Sequence, residues 1–175
     1  MHDRIGFSIG SAFAAVIPLA CGIVGALISN MPISIFGGNL QPPLLALMPV
    51  YFWCLIRPDL MPPWVALALG VLEDMLSGGS PGVWTAAFVA SYALVDRQRE
   101  SFAGLAGFGA IIGFAAAMFA ASATAYLVEV FLAWRFLPIS ALIVQFAVTI
   151  VFYIPGAALL NLIHRRLVGP LRSDF

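Results

Sequence analysis

Long apolar stretches alternate along the chain with short clusters of charge, and their lengths predict helices. Residues 5–29, 43–56, 64–77, 82–96, 102–128 and 137–163 are largely apolar, while charge gathers at His2-Asp3-Arg4, at Arg57-Pro58-Asp59, over 96–100 and at His164-Arg165-Arg166. A helix that crosses a hydrocarbon layer about 30 Å thick needs about 20 apolar residues. The pattern therefore predicts an all-α polytopic membrane protein with about six transmembrane helices, forming one integral membrane domain over residues 1–175. Segments 43–56 and 64–77 are short enough to form a re-entrant hairpin instead, with the turn over 57–63 buried.

Helix breakers mark the joins. Pro58, Pro62 and Pro63 lack backbone N–H groups and disfavour helical geometry before them, so 57–63 reads as a tight turn. Residues 77–82 are glycine- and proline-rich and read as a bend, as does the uncharged loop over 30–41. Pro155 has apolar residues on both sides and is expected to bend the last helix without ending it.

Composition sharpens this picture. Hydrophobic residues make up 62% of the chain and charged residues 9%, with a mean hydropathy of +1.04, against roughly 25% charged residues in an ordinary soluble domain. The net charge is +0, there is no lysine, and no basic stretch carries interleaved aromatics, so nucleic acid is not an expected partner. Placing both termini inside puts Arg4, Arg57, Arg97, Arg99, Arg165, Arg166 and Arg172 on the cytoplasmic side and leaves Arg135 outside. Residues 5–29 are too long for the apolar region of a signal peptide and read as a retained span, and Pro18 disfavours a lipoprotein site at Cys21. Cys21 and Cys54 lie in apolar segments without companions at ligand spacing and read as structural thiols.

Candidate chemistry is sparse. Glu73 and Asp74 stand near the end of an apolar segment, where a carboxylate needs a partner, a cavity or water. Asp74 is open to three readings: a buried structural acid, a solvated helix end, or a transport group. The structural reading has it accept hydrogen bonds from backbone N–H groups freed by the 77–82 bend, or from a neighbouring helix's hydroxyl or amide. Consecutive residues of a helix diverge by about 100°, so the two acids cannot converge on one reacting atom. No HExxH, Ser/Lys dyad or phosphate-binding glycine loop occurs, so no catalytic residue, metal ligand or cofactor is expected. Gly6 with Gly10, and Gly109 with Gly113, stand four apart, and Ala116, Ala117, Ala120 and Ala121 extend the second stripe; such faces admit a close helix, within the protein or in a partner. Gln145 is expected to pair with a neighbouring helix, and Glu129, Trp134 and Arg135 read as an outer interface.

Between residues 42 and 82 the chain resembles the MreD family of rod shape-determining membrane proteins. The likeness rests on Pro42 and Pro43 before an apolar helix, Tyr51 and Trp53 within it, the Arg57-Pro58 turn, Gly70, Asp74, Ser77-Gly78 and Gly82. Glu73 departs from it, since relatives often have an apolar residue before the aspartate. The resemblance implies a fold similar to the six-helix substrate-binding subunits of vitamin (ECF-type) transporters. It also implies a non-enzymatic scaffold of the bacterial cell-elongation complex in the inner membrane. Such a scaffold binds the single-span protein MreC, and with it wall-synthesis enzymes and membrane lipid, in support of rod shape and lateral peptidoglycan synthesis. The alternative is a solute-binding or transport subunit, suggested by the acids and by broken helices at membrane depth.

Overall fold

A computed structural model of the protein describes residues 9–31, 42–99, 108–134 and 138–168. They form six α-helices: α1 (Ile9–Ser29), α2 (Leu47–Ile56), α3 (Pro63–Ser77), α4 (Val83–Arg97), α5 (Phe108–Ala133) and α6 (Ile139–Ile163). No strand occurs among the described residues. The breakers lie at the joins: Pro58 starts a 3-10 turn over Pro58–Leu60, and Pro63 is the first residue of α3. Gly78 ends α3 in the left-handed region at φ 63°, a conformation that costs glycine little. Pro155 lies inside α6, which continues to Ile163.

The second helix is the centre of the fold. It has 10 residues, so it is about 15 Å long, half the thickness of a bilayer core. Every residue from Leu47 to Cys54 is buried. Helix α2 touches α1, α4, α5 and α6, while around it α1 meets α3, α3 meets α4, α4 meets α5 and α5 meets α6. A π-helical turn, His164–Val168, brings the end of α6 back to α1. Four helices thus pack directly on the short one, and α3 joins the ring between α1 and α4. The 43–56 segment is helical only from Leu47, because Pro42 and Pro43 lead in through an extended stretch and a turn.

A helix that begins inside a core has backbone donors to satisfy, because its first turn finds no partner within the helix. The lead-in meets this need, with the Leu47 and Met48 N–H groups donating to the Leu44 and Leu45 carbonyls, and side chains from two outer helices in turn satisfy the lead-in. The Leu44 N–H donates to the Thr149 hydroxyl of α6 at 3.1 Å, and the Leu45 N–H donates to Ser29 Oγ of α1 at 3.1 Å. Thr149 in turn donates to the Gln145 carbonyl at 2.6 Å, and the Gln145 amide donates to the Pro42 carbonyl at 3.0 Å. Lower in the core, Phe114 stacks on Tyr153 at 4.1 Å, Tyr51 meets both rings edge-on, and the Tyr51 hydroxyl donates to the Ala110 carbonyl.

Two helices are long and apolar enough to cross a membrane, Gly109–Leu132 and Ile139–Leu167. They are only 33% and 17% buried, whereas the core helix of a soluble domain is mostly enclosed. The surface they turn outward is apolar and includes Ile112, Phe119, Phe131, Ile143, Val151 and Leu159.

Candidate functional site

The residues singled out between 43 and 82 fall into three places. Pro43 belongs to the lead-in of α2. Arg57 and Pro58 form the turn into α3, where the Arg57 guanidinium donates to Asp59 at 2.8 Å from Nη2 and 3.0 Å from Nε. That contact holds the Asp59 carboxyl below the usual carboxylate range. Gly70, Asp74, Gly78 and Gly82 belong together in the α3–α4 hairpin.

The hairpin is organised around Asp74. Helix α4 starts after Gly82, at φ 92°, a position with no side chain to cap the helix. Asp74 supplies the missing acceptor from α3. Its Oδ2 accepts the Gly82 N–H at 2.9 Å, the Thr85 N–H at 3.0 Å and the Thr85 hydroxyl at 2.6 Å, and its Oδ1 accepts the Trp84 N–H at 2.8 Å. These are first-turn donors that a helix leaves open, and a carboxylate at a helix N-terminus also gains from the helix dipole. One turn earlier, Gly70 allows the approach: a Cβ there would stand 2.6 Å from the Thr85 Cα and 3.1 Å from the Trp84 carbonyl oxygen. Asp74 is half-buried at this joint, and all four bonds go to the protein's own backbone and hydroxyl groups.

Glu73 points elsewhere and is the more deeply buried acid, 3% exposed. Its Oε1 accepts the Asn30 amide at 2.7 Å, and the same amide nitrogen donates to the Ala26 carbonyl at 2.9 Å. Both amide hydrogens of Asn30 are thereby committed, and Glu73 Oε2 has no hydrogen-bond partner. Glu73 lines a cavity of about 210 Å³ bounded by the end of α1, the lead-in of α2, and parts of α3, α4, α5 and α6. Gln145 and Glu129 are on the same wall, with Ser80 donating to Glu129 Oε1 at 3.1 Å. A second recess of about 370 Å³ between α5 and α6, lined by Phe119, Ala123, Tyr126 and Phe146, is apolar and has no charged side chain to orient a polar ligand.

The small-residue faces divide. Gly6 lies outside the described residues, and of Gly10 only its place in the first turn of α1 is described. Gly109 is half-buried and Gly113 buried on α5, whose most extensive neighbour is α4. One turn on from Gly113, the Ala117 carbonyl accepts the Ser91 hydroxyl of α4 at 2.9 Å, and Ala117 and Ala121 are fully enclosed. Sequence reasoning passed over Gly22 and Gly25, which admit Leu69 and the backbone of Ala46. It also passed over Ser29, Asn30 and Thr149; hydroxyl and amide groups inside apolar helices were the available signal. Glu129, read as an interface residue, contributes to the cavity wall. Among the described residues no group of three or more His, Cys, Asp or Glu side chains could hold a metal ion. Comparison with protein-family models, with curated proteins and with solved structures finds no match to this chain.

Proposed function

We propose that this chain is an MreD-like, multi-pass protein of the bacterial inner membrane with both termini cytoplasmic. In this reading it acts as a non-enzymatic scaffold that binds MreC and supports rod shape and lateral wall synthesis. The observation that carries the reading is the use made of Asp74. In a transport site an intramembrane acid faces a solute path, whereas here its carboxylate oxygens bind the first turn of α4. Of the residues on which the MreD likeness rests, Gly70, Asp74, Gly78 and Gly82 therefore serve to build a fixed hairpin, which suits a docking scaffold. The outward apolar surface of α5 and α6 favours a lipid surround over water.

Depletion tests the function directly. Under this proposal, rod-shaped cells lacking the protein become round and misplace wall synthesis while nutrient uptake continues. Normal shape with loss of one specific uptake would instead support a solute-transport subunit.

A further inference from the structure

We infer that the recess between α5 and α6 is a binding site for one acyl chain of a membrane phospholipid, an inference that rests on the membrane-embedded reading above. The wall is built by Phe119, Ala123 and Tyr126 of α5 and by Leu142, Ile143 and Phe146 of α6. Ser122 also lines it, but the Ser122 Oγ is enclosed and offers the recess no polar surface. A recess of about 370 Å³ with such a wall does not supply the several polar partners that an ordered water needs, and apolar cavities take apolar guests. The recess also opens sideways. Phe119 is 67% exposed and Ile143 61%, so its rim belongs to the outward apolar surface of the two helices that are long enough to cross a membrane. In a bilayer, hydrocarbon is what meets that rim.

Length selects the occupant. The lining residues fall within 119–126 on α5 and 139–146 on α6, about 10 Å along each helix at about 1.5 Å per residue. The apolar span of α5 has 24 residues, or about 36 Å on the same rise. A partner's transmembrane helix needs a groove along most of that length, and a second copy of this chain needs a contact face of about 800 Å² on each partner. One acyl chain needs only a single leaflet, about half of a hydrocarbon layer near 30 Å thick. The recess matches that demand, since it lies in the half of the layer where α6 begins.

Photo-cross-linking tests the site with the full chain reconstituted in phosphatidylethanolamine vesicles that contain a trace of the same lipid bearing a diazirine at mid-chain. Cross-links mapped by mass spectrometry are expected to concentrate on residues 119–126 and 139–146, at least fivefold above those on equally outward residues such as Ile112, Val151 and Leu159. Ala123→Phe adds bulk to the wall and is expected to cut the recess cross-links at least fivefold, while Val151→Phe leaves them unchanged. Cross-links spread evenly over the outward faces, a recess shielded from the probe by a second copy of the chain or by a co-isolated helix, or recess cross-links unchanged in folded Ala123→Phe would overturn the site. If that variant fails to fold, the distribution in the parent chain decides. A chain that stays in solution without detergent or vesicles would overturn the membrane reading and this inference together, whereas even labelling of a vesicle-embedded chain would overturn this inference alone.

Discussion

Glu73 and Asp74 are neighbours in sequence and face different parts of the fold, since consecutive helical residues diverge by about 100°. Asp74 meets α4 and Glu73 meets α1. The acceptor role of Asp74 was legible because an acid one turn before a glycine-rich bend lies within reach of the N–H groups that the bend frees. The partner of Glu73 was not legible, because Asn30 is 43 positions away and nothing local indicates that the end of α1 returns to α3. The geometry also ranks substitutions. Asp74→Asn can place its oxygen where Oδ2 accepts three of the four bonds and gives up the one from Trp84. Asp74→Leu loses all four, at about 1–3 kcal/mol for each donor left unpaired and enclosed. Thermal unfolding in detergent is therefore expected to show a small drop for Asn and a several-fold larger one for Leu; equal losses would mean that the charge, and not the acceptor, is what matters.

At the scale of the element, α2 shows what periodicity cannot resolve. An apolar run predicts a helix, but the same run suits a short crossing, a re-entrant arm or a buried core piece. Length decides, and length depends on where the lead-in ends. Two prolines and a turn take up residues 42–46, leaving 10 helical residues of which those from Leu47 to Cys54 are buried. Buried non-helical backbone is tolerated only where other groups pair with it, and Thr149 is one such group. Thr149→Val removes the acceptor of the Leu44 N–H and is expected to cost about 1–3 kcal/mol, while Thr149→Ser retains the hydroxyl and stays close to the parent protein. A Val variant as stable as the parent would show that the lead-in does not depend on this bond. The hairpin of α3 and α4 was more readable, because Gly70, Gly78 and Gly82 each mark a backbone feature that a side chain would obstruct or strain.

For the whole molecule, the sequence made the helical class and the positions of the helix joins legible from apolar length and proline placement, both local properties. The central position of α2 and the convergence of five helices on one polar cavity are set by contacts between distant residues, which leave no periodic trace. The proposed orientation predicts that single cysteines near Asn39 and Arg135 react with an impermeant maleimide in intact cells, and that ones near Gln98 and Ser173 react only after the membrane is opened. Labelling at Gln98 in intact cells would reverse the assignment.

The most direct test of the scaffold account is co-isolation of the tagged full chain from native membranes in mild detergent, with the bound chains identified by mass spectrometry. The account predicts a single-span MreC-type protein at near-equal amount, retained by Asp74→Asn and depleted in Asp74→Leu. Recovery of an ATPase module in place of that single-span chain would contradict it.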